Sequence, residues 1–265
     1  MKLSSPIYLL KSQAKALKKA KNIPMAEALN LIAQKEGIAS WSLLCSKNSL
    51  VFPQTYSEIR QFLNNGDLVI VAARPGHGKT SFTAGLFIQV IHEEKAKNYY
   101  FTLDENLDDV EKRLNVYDPQ NKRNDHLFEL DYSNNINADY IISKVQGSIC
   151  EGAVIVIDYL QRLDEKRISP PVQEQVKKLH DFAKTKKCII IFLCQIAREI
   201  ECQSNKRPTL DDIRLPNPLN LKLINKIFFL FREQQGGQKV ETSVLAGVTE
   251  HKFMINWDHD QCKFY

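Results

Sequence analysis

The stretch VIVAARPGHGKTSFTAGLF, residues 69–87, sets a short apolar run, a turn-rich loop and a helical pattern in that order. Its centre, Ala73-x-x-x-x-Gly78-Lys79-Thr80, has the spacing of a phosphate-binding loop, with Ala where the first Gly usually stands. The residue types match the chemistry. Backbone N–H groups at a helix N-terminus converge on phosphate oxygens, and Gly76 and Gly78 let the main chain turn tightly enough to aim them. Lys79 supplies a point charge for the terminal phosphates, and the Thr80 hydroxyl suits Mg²⁺. Ala73, Arg74, Pro75 and His77 complete a loop expected to bind a nucleoside triphosphate. The plain alternative is a chance glycine-containing turn, and the flanking strand and helix argue against it.

Further along, AVIVIDYLQ (153–161) is an apolar strand ending in Asp158. In a doubly wound sheet, ligands sit at the C-terminal ends of the strands, so Asp158 is placed to hold Mg²⁺ through water. A helix-capping Asp is the ordinary alternative. Around these two runs, strand and helix alternate from about residue 57. Strands are expected at Leu68–Ala73, Tyr99–Leu103, Leu127–Tyr132, Ala153–Ile157 and Cys188–Cys194. Helices are expected at Gly78–Glu94, Asn106–Val116, Ala138–Ile149 and Val172–Lys186. Continuous apolar runs indicate a mainly parallel sheet covered by helices on both faces. After Asn225 only strands remain (226–231, 243–248, 252–256 and 263–265), suited to an antiparallel extension at one edge.

The positive charge is concentrated at the start of the chain. Residues 1–50 hold eight lysines against two glutamates, +6 of a total of +5, which leaves the remainder at −1. Residues 1–47 read as a small helical module: Ile7, Leu10, Ala14 and Leu17 recur at helical spacing, with Lys11, Lys15, Lys18 and Lys19 on the other faces. A second helix begins near Pro24 and stops at Gly37, and Ser40 can cap a third. Residues 48–56 are the expected linker and 57–265 the main domain. The six cysteines show no zinc-like spacing, and Cys188 and Cys194 read as buried small hydrophobes. No apolar stretch nears the roughly 20 residues that span a bilayer. A signal peptide is not expected, and the chain is expected to be cytoplasmic.

Taken in order, these residues resemble the DnaB-type replicative helicases and their RecA-like motor domain. That family's phosphate loop tolerates Ala at its first position and opens Ala-Arg-Pro, as Ala73-Arg74-Pro75 do. Its magnesium strand ends Ile-Asp-Tyr-Leu-Gln, matched by Ile157 to Gln161. Gln195-Ile196-Ala197-Arg198 with Glu201 matches its next strand end. Lys206-Arg207-Pro208 with Asp212-Ile213-Arg214, and then Phe231-Arg232-Glu233, match later segments. The similarity covers roughly residues 50–265. It implies a RecA-like P-loop NTPase core with ATP and Mg²⁺ as cofactors, and Gln195 sensing the γ-phosphate. It also implies a homo-oligomer, a hexameric ring in the family, with single-stranded DNA near Arg198, Lys206, Arg207 and Arg214. A solvated, salt-bridged loop is the plain alternative for these four.

The sequence also departs from the family. The water-polarising Glu of Phe-Ser-Leu-Glu is replaced in Phe101-Thr102-Leu103-Asp104-Glu105. Asp104 occupies the aligned position one methylene short and is favoured over Glu105, and a base must lie within hydrogen-bond reach of its water. Val248 and Glu250 stand where the family places a Lys and an Arg that complete the neighbouring subunit's site, with Lys252 nearby. Leu215-Pro216-Asn217-Pro218 replaces an acidic, glycine-containing loop, and the two prolines stiffen it. The usual larger N-terminal domain has only residues 1–47 in its place, a weak likeness to small helical domains of conjugative elements and a possible contact for a replication or mobile-element partner. The leading expectation is an ATP-dependent DNA helicase. A nucleotide-binding regulatory or scaffold protein with weak turnover is the alternative, and a monomeric helicase loader a third.

Overall fold

The computed structural model describes residues 7–47, 55–93, 96–103, 105–133, 135–148, 150–163, 170–203, 205–213, 219–233, 237–246, 249–258, 260–261 and 263–265. Two compact units divide the chain, Met1–Val51 and Phe52–Tyr265. In the first, α1 (Ile7–Lys21), α2 (Met25–Lys35) and α3 (Trp41–Lys47) bury Leu10, Ala14, Ala28, Ile32, Ala33, Ile38 and Leu44 together. Lys18, Lys19 and Lys21 close α1, where cations complement the helix dipole. Gly37 stops α2 by adopting φ +76°. The amides of Gly37 and Ile38 then donate back to the carbonyls of Gln34 and Ala33, a Schellman ending. The Ser40 hydroxyl accepts from Leu43 N at 3.2 Å and caps α3, as its position suggests.

The second unit opens with α4 (Tyr56–Phe62), followed by β1 (Leu68–Ala73), α5 (Lys79–Glu93), β2 (Asn98–Thr102), α6 (Leu107–Tyr117), β3 (Phe128–Asp131), α7 (Ala138–Val145), β4 (Val154–Asp158), α8 (Val172–Lys186) and β5 (Ile189–Gln195). It ends with β6 (Lys226–Phe231), β7 (Lys239–Ala246), β8 (Thr249–Asp258) and β9 (Lys263–Phe264). The nine strands form one sheet in the order β3-β2-β4-β5-β1-β6-β7-β8-β9. From β3 to β6 every pairing is parallel, and from β6 to β9 every pairing is antiparallel. This is the mixed α/β architecture anticipated above. Among the described residues, no helix is long and apolar enough to cross a membrane.

Burial on both faces explains the unbroken apolar runs. In β1, Leu68, Ile70 and Ala72 join a core with Ile141, Val145, Val176 and Leu179 of α7 and α8. Val69, Val71 and Ala73 face the other way, against Phe82 and Phe87 of α5 and Val110 and Leu114 of α6. Side chains alternate across a strand, so a strand between two helical layers is apolar at every position. Helix α4 was not anticipated. Its N-cap Thr55 and first residue Tyr56 fall at the end of the expected linker, most of which lies outside the described residues. The sequence signal was a capping box: Thr55 Oγ1 accepts from Glu58 N, and the Glu58 carboxylate accepts from Thr55 N.

A buried amide ties the layer of α7 and α8 together. Gln175 on α8 is fully buried. Its Oε1 accepts from Ala138 N at 3.0 Å, and its Nε2 donates to the carbonyls of Leu163 (2.8 Å) and Pro170 (2.7 Å). Replacing it by Leu keeps the volume but strands those backbone groups, at a cost of roughly 1–3 kcal/mol for each group left unsatisfied. Gln175→Leu should therefore lower the urea midpoint by an amount equivalent to about 2 kcal/mol or more. Lys177→Ala, at an exposed position of the same helix, should stay within about 0.5 kcal/mol.

Candidate functional site

The parallel strands β1, β4, β5 and β6 all end on one edge of the sheet, which is where such folds hold ligands. Between β1 and α5 the main chain turns twice with positive φ, +76° at Gly76 and +90° at Gly78. Side-chain-bearing residues rarely adopt either value. Gly78 is constrained further, because a Cβ there would lie 2.7 Å from Phe264 Cζ and 3.2 Å from Arg232 Nη2. The turn delivers Lys79 and Thr80 into the first turn of α5. Lys79 Nζ stands 3.7 Å from Asp158 Oδ1, 3.4 Å from Thr80 Oγ1 and 5.7 Å above the Tyr159 ring. Residues far apart in sequence are thus gathered where the loop opens.

Asp158 is 1% exposed, and its other oxygen accepts from the Tyr100 hydroxyl at 3.4 Å. Burial, reinforced by the Asp158 charge, holds the Tyr100 phenol well above its usual pKa, so it serves as a neutral donor. Asp158 is buried and Lys79 half-buried, so the ammonium offsets part of the carboxylate's desolvation. The Thr80 hydroxyl and the Asp158 carboxylate are hard oxygen donors of the kind Mg²⁺ takes when phosphate and water supply the rest. No group of three His, Cys, Asp or Glu side chains converges among the described residues.

Gln195 ends β5 directly beside Ala73 in the parallel register. Gln161 clamps its backbone: Gln161 Nε2 donates to Gln195 O at 3.1 Å, and Gln195 N donates to Gln161 Oε1 at 3.4 Å. The Gln161 amide also donates to Cys194 Sγ at 3.1 Å. Cys188 and Cys194 are fully buried, and burial pushes both thiols up to about 12. They are packing residues, as expected. Asp104 lies outside the described residues. Glu105 does not: its Oε1 accepts from Arg113 Nη2 at 2.8 Å, while Oε2 is buried with no hydrogen-bond partner among the described residues.

Two loop residues assigned to nucleotide binding fasten the loop to its surroundings. Arg74 is buried, pairs with Glu201, donates from Nη2 to Arg232 O at 3.0 Å and lies over the Phe231 ring at 5.4 Å. His77 Nδ1 accepts from Arg232 N at 3.1 Å. Pro75 and Gly76 are exposed. Tyr117 joins the same framework from α6, with its hydroxyl 3.0 Å from Ser81 Oγ and accepting from Phe264 N at 3.0 Å. Nothing in the sequence marked Tyr117 or Phe264, because their roles exist only through contacts between distant segments.

The basic residues expected near DNA divide into two groups. Lys206 pairs with Glu201 at 3.5 Å, and Arg207 Nε donates to both carboxylate oxygens of Glu241 at 2.9 Å while lying over Phe231 at 5.0 Å. Both are ion-paired in this structure. Arg198 is exposed at the start of a short 3-10 segment. Arg214 lies outside the described residues, although its neighbour Ile213 forms a bridge with Ile196, two residues before Arg198. Val248 is also outside them. Glu250 occupies β8 opposite Leu245.

The loop histidine gives the site a pH signature. Burial first, then the charges of Arg74 and Arg232, push His77 from 6.5 down to about 4, against an opposing pull from Glu201. Between those values the unfolded chain takes up a proton that the folded chain refuses. The stabilisation is complete above pH 6.5 and is lost as pH falls towards 4. Urea midpoints measured between pH 7 and 4 should fall less steeply in His77→Asn, which keeps an acceptor but cannot titrate. Identical slopes in the two proteins would remove His77 from the account.

Comparison with known proteins agrees with this geometry. Residues 54–120 and 120–255 match the family model described as DnaB-like helicase C terminal domain. A probable replicative DNA helicase of Trieres chinensis is 26% identical over 223 residues, covering 72% of this chain and 49% of that protein. The replicative DNA helicase DnaB of Helicobacter pylori (strain J99) is 24% identical over 221 residues, covering 72% and 44%. The chain thus spans about half the length of these curated relatives. A solved ATPase domain superposes with a TM-score of 0.66 at 18% identity, covering 91% of this chain and 98% of that one. A DnaB-like replicative helicase, solved in work on its interactions with primase, also gives 0.66 at 18% identity, covering 97% and 76%. The fold is therefore RecA-like, and the chain belongs to the DnaB-like helicase C-terminal domain family.

Proposed function

We propose that this chain is an ATP-dependent motor acting on single-stranded DNA, with Mg²⁺·ATP held by the loop from Ala73 to Thr80. The observation that carries the reading is the meeting of Lys79, Thr80 and Asp158 at the strand ends, with Lys79 Nζ 3.7 Å from Asp158 Oδ1. In this reading the loop amides and Lys79 bind the phosphates, and Thr80 and Asp158 hold the metal. A Mg²⁺ held there would supply charge neutralisation to the phosphates. Gln195, fixed at the backbone by Gln161, senses the terminal phosphate. Asp104 and Glu105 are the carboxylates available to orient the attacking water. Arg113 already fixes the Glu105 carboxylate, which leaves Oε2 to accept from a water.

DNA engagement falls to Arg198, Lys206, Arg207 and Arg214. Lys206 and Arg207 would exchange Glu201 and Glu241 for backbone phosphates, so their contribution depends on salt and is largely indifferent to base sequence. The chain acts as a homo-oligomer, a hexameric ring in this reading, in the cytoplasm. Residues 57–265 form the motor, 48–56 the linker, and 1–47 a basic module for a replication or mobile-element partner.

ATP hydrolysis should be measurable in the full chain and stimulated by single-stranded DNA. Lys79→Ala should abolish nucleotide binding. Asp158→Asn should keep binding but lower turnover by about two orders of magnitude or more, the scale for losing one electrostatic group at a reacting phosphate. A folded oligomer that binds Mg²⁺·ATP but hydrolyses none, with or without DNA, would sink the motor and favour a nucleotide-binding regulator.

A further inference from the structure

Helix α1 (Ile7–Lys21) holds five lysines, at positions 11, 15, 18, 19 and 21, and no carboxylate. Lys18, Lys19 and Lys21 are exposed, as is Lys35 in the last turn of α2. None of these four side chains forms an ion pair among the described residues. Lys11 and Lys15 stand seven and three residues before Lys18, the spacing of one helix face. Like charges at i, i+3 and i, i+4 weaken a helix, and the helix dipole favours cations only in the last turn. The fold of this unit does not use the charge, because its core is built from Leu10 and Ala14 of α1 with Ala28, Ile32 and Leu44.

Three features of the surface select its partner. Five lysines over a 15-residue helix give one cation per roughly 4.5 Å of axis, close to the axial charge spacing of about 3.4 Å on one strand of duplex DNA. Residues 1–50 contain no arginine. Lysines meet phosphates as point charges and lack the planar fork that reads carboxylates or base edges in a fixed geometry. Apart from the lysines, the described exposed residues of α1 are Gln13, Ala16 and Ala20, and Trp41 packs against the unit's own core. The described part of this surface therefore offers neither the bulky apolar face that enters a membrane surface nor an aromatic platform for unstacked bases. We propose that α1 is a docking surface for the sugar–phosphate backbone of double-stranded nucleic acid, indifferent to base sequence. Lys18, Lys19 and Lys21 are its described contacts, and binding releases counterions condensed on the phosphates. This inference rests on the reading of residues 1–47 as a basic partner-binding module and is independent of the phosphate loop.

Fluorescence anisotropy of blunt-ended duplex DNA, titrated with the full chain without nucleotide over a series of salt concentrations, provides the test. The triple variant Lys18→Gln, Lys19→Gln and Lys21→Gln should weaken binding equally for unrelated sequences. It should also flatten the slope of log affinity against log salt by about 2 to 3, the share of three phosphate contacts. Arginine at the same three positions should keep the slope. Glutamine has nearly the helix propensity of lysine and the positions are exposed, so the triple variant should fold. Should it not, Ala16→Glu with Ala20→Glu, which puts carboxylates on the same turns, should weaken duplex binding as well, and no weakening would overturn the proposal. An unchanged slope in the glutamine variant, with binding lost instead in Lys206→Gln with Arg207→Gln, would place the duplex on the motor and overturn it. Vesicles containing phosphatidylserine separate the partner from the module. If the glutamine variant loses vesicle binding but not duplex binding, the duplex surface is overturned while residues 1–47 remain a basic binding module. If the unsubstituted chain binds neither probe, the proposal is overturned and the module reading loses its anionic partner.

Discussion

Lys79 and Asp158 meet because two strands of a parallel sheet end on the same edge. β5 lies between β1 and β4, with Ala73 opposite Gln195 and Ile157 opposite Phe192. Asp158 therefore stops about two rungs short of the level at which β1 hands over to the loop. The two positive-φ glycines turn the chain back over that edge, and the first residue of α5 comes down onto the carboxylate. Either an antiparallel neighbour or a longer β4 would separate the pair. The rest of the proposed site, Thr80 beside Lys79 and Gln195 beside Ala73, follows from the same register.

A loop whose N–H groups must converge has to be held open, and its own glycines cannot do that. The support comes from β6 and the 3-10 segment after β5. Arg74 reaches Glu201 and the Arg232 carbonyl, and His77 accepts from the Arg232 amide. Preorganisation of this kind removes the cost of arranging donors when the ligand arrives. It also explains a histidine held neutral: the imidazole is an acceptor inside a cluster of guanidinium groups, where a second positive charge is disfavoured.

The same fasteners connect the loop to the basic segment beyond β5. Glu201 is shared between Arg74 and Lys206, and Arg207 pairs with Glu241 on β7. A polyanion drawing Lys206 away would compete with Glu201, the carboxylate that also braces Arg74. The ion pairs are partly exposed, so their strength falls with salt. Arg198 is exposed beside them. In the proposed motor, Glu201 would link the two sites, since it pairs with both Arg74 and Lys206.

Much of this was legible in the sequence. The loop glycines, β1, the run ending in Asp158 and most helix starts, α4 excepted, were readable because local chemistry dictates them: glycine where φ must be positive, a proline or hydroxyl at a helix start, unbroken apolar runs for strands buried on both faces. The antiparallel strands were placed less well. β7 begins at Lys239 rather than Ser243, because Lys239 and Glu241 lie on a partly exposed stretch where apolar patterning fades. The roles of Gln161, Tyr117, Arg232 and Phe264 needed the tertiary structure, since each acts on a partner at least 33 residues away. The sequence by itself determined which residues could bind phosphate and how the chain alternates between strand and helix, because those properties are local. Only the tertiary structure decided that Arg74 and His77 brace the loop and that a buried cation stands over Gly78, because burial and charge pairing are set by what the folded chain brings alongside.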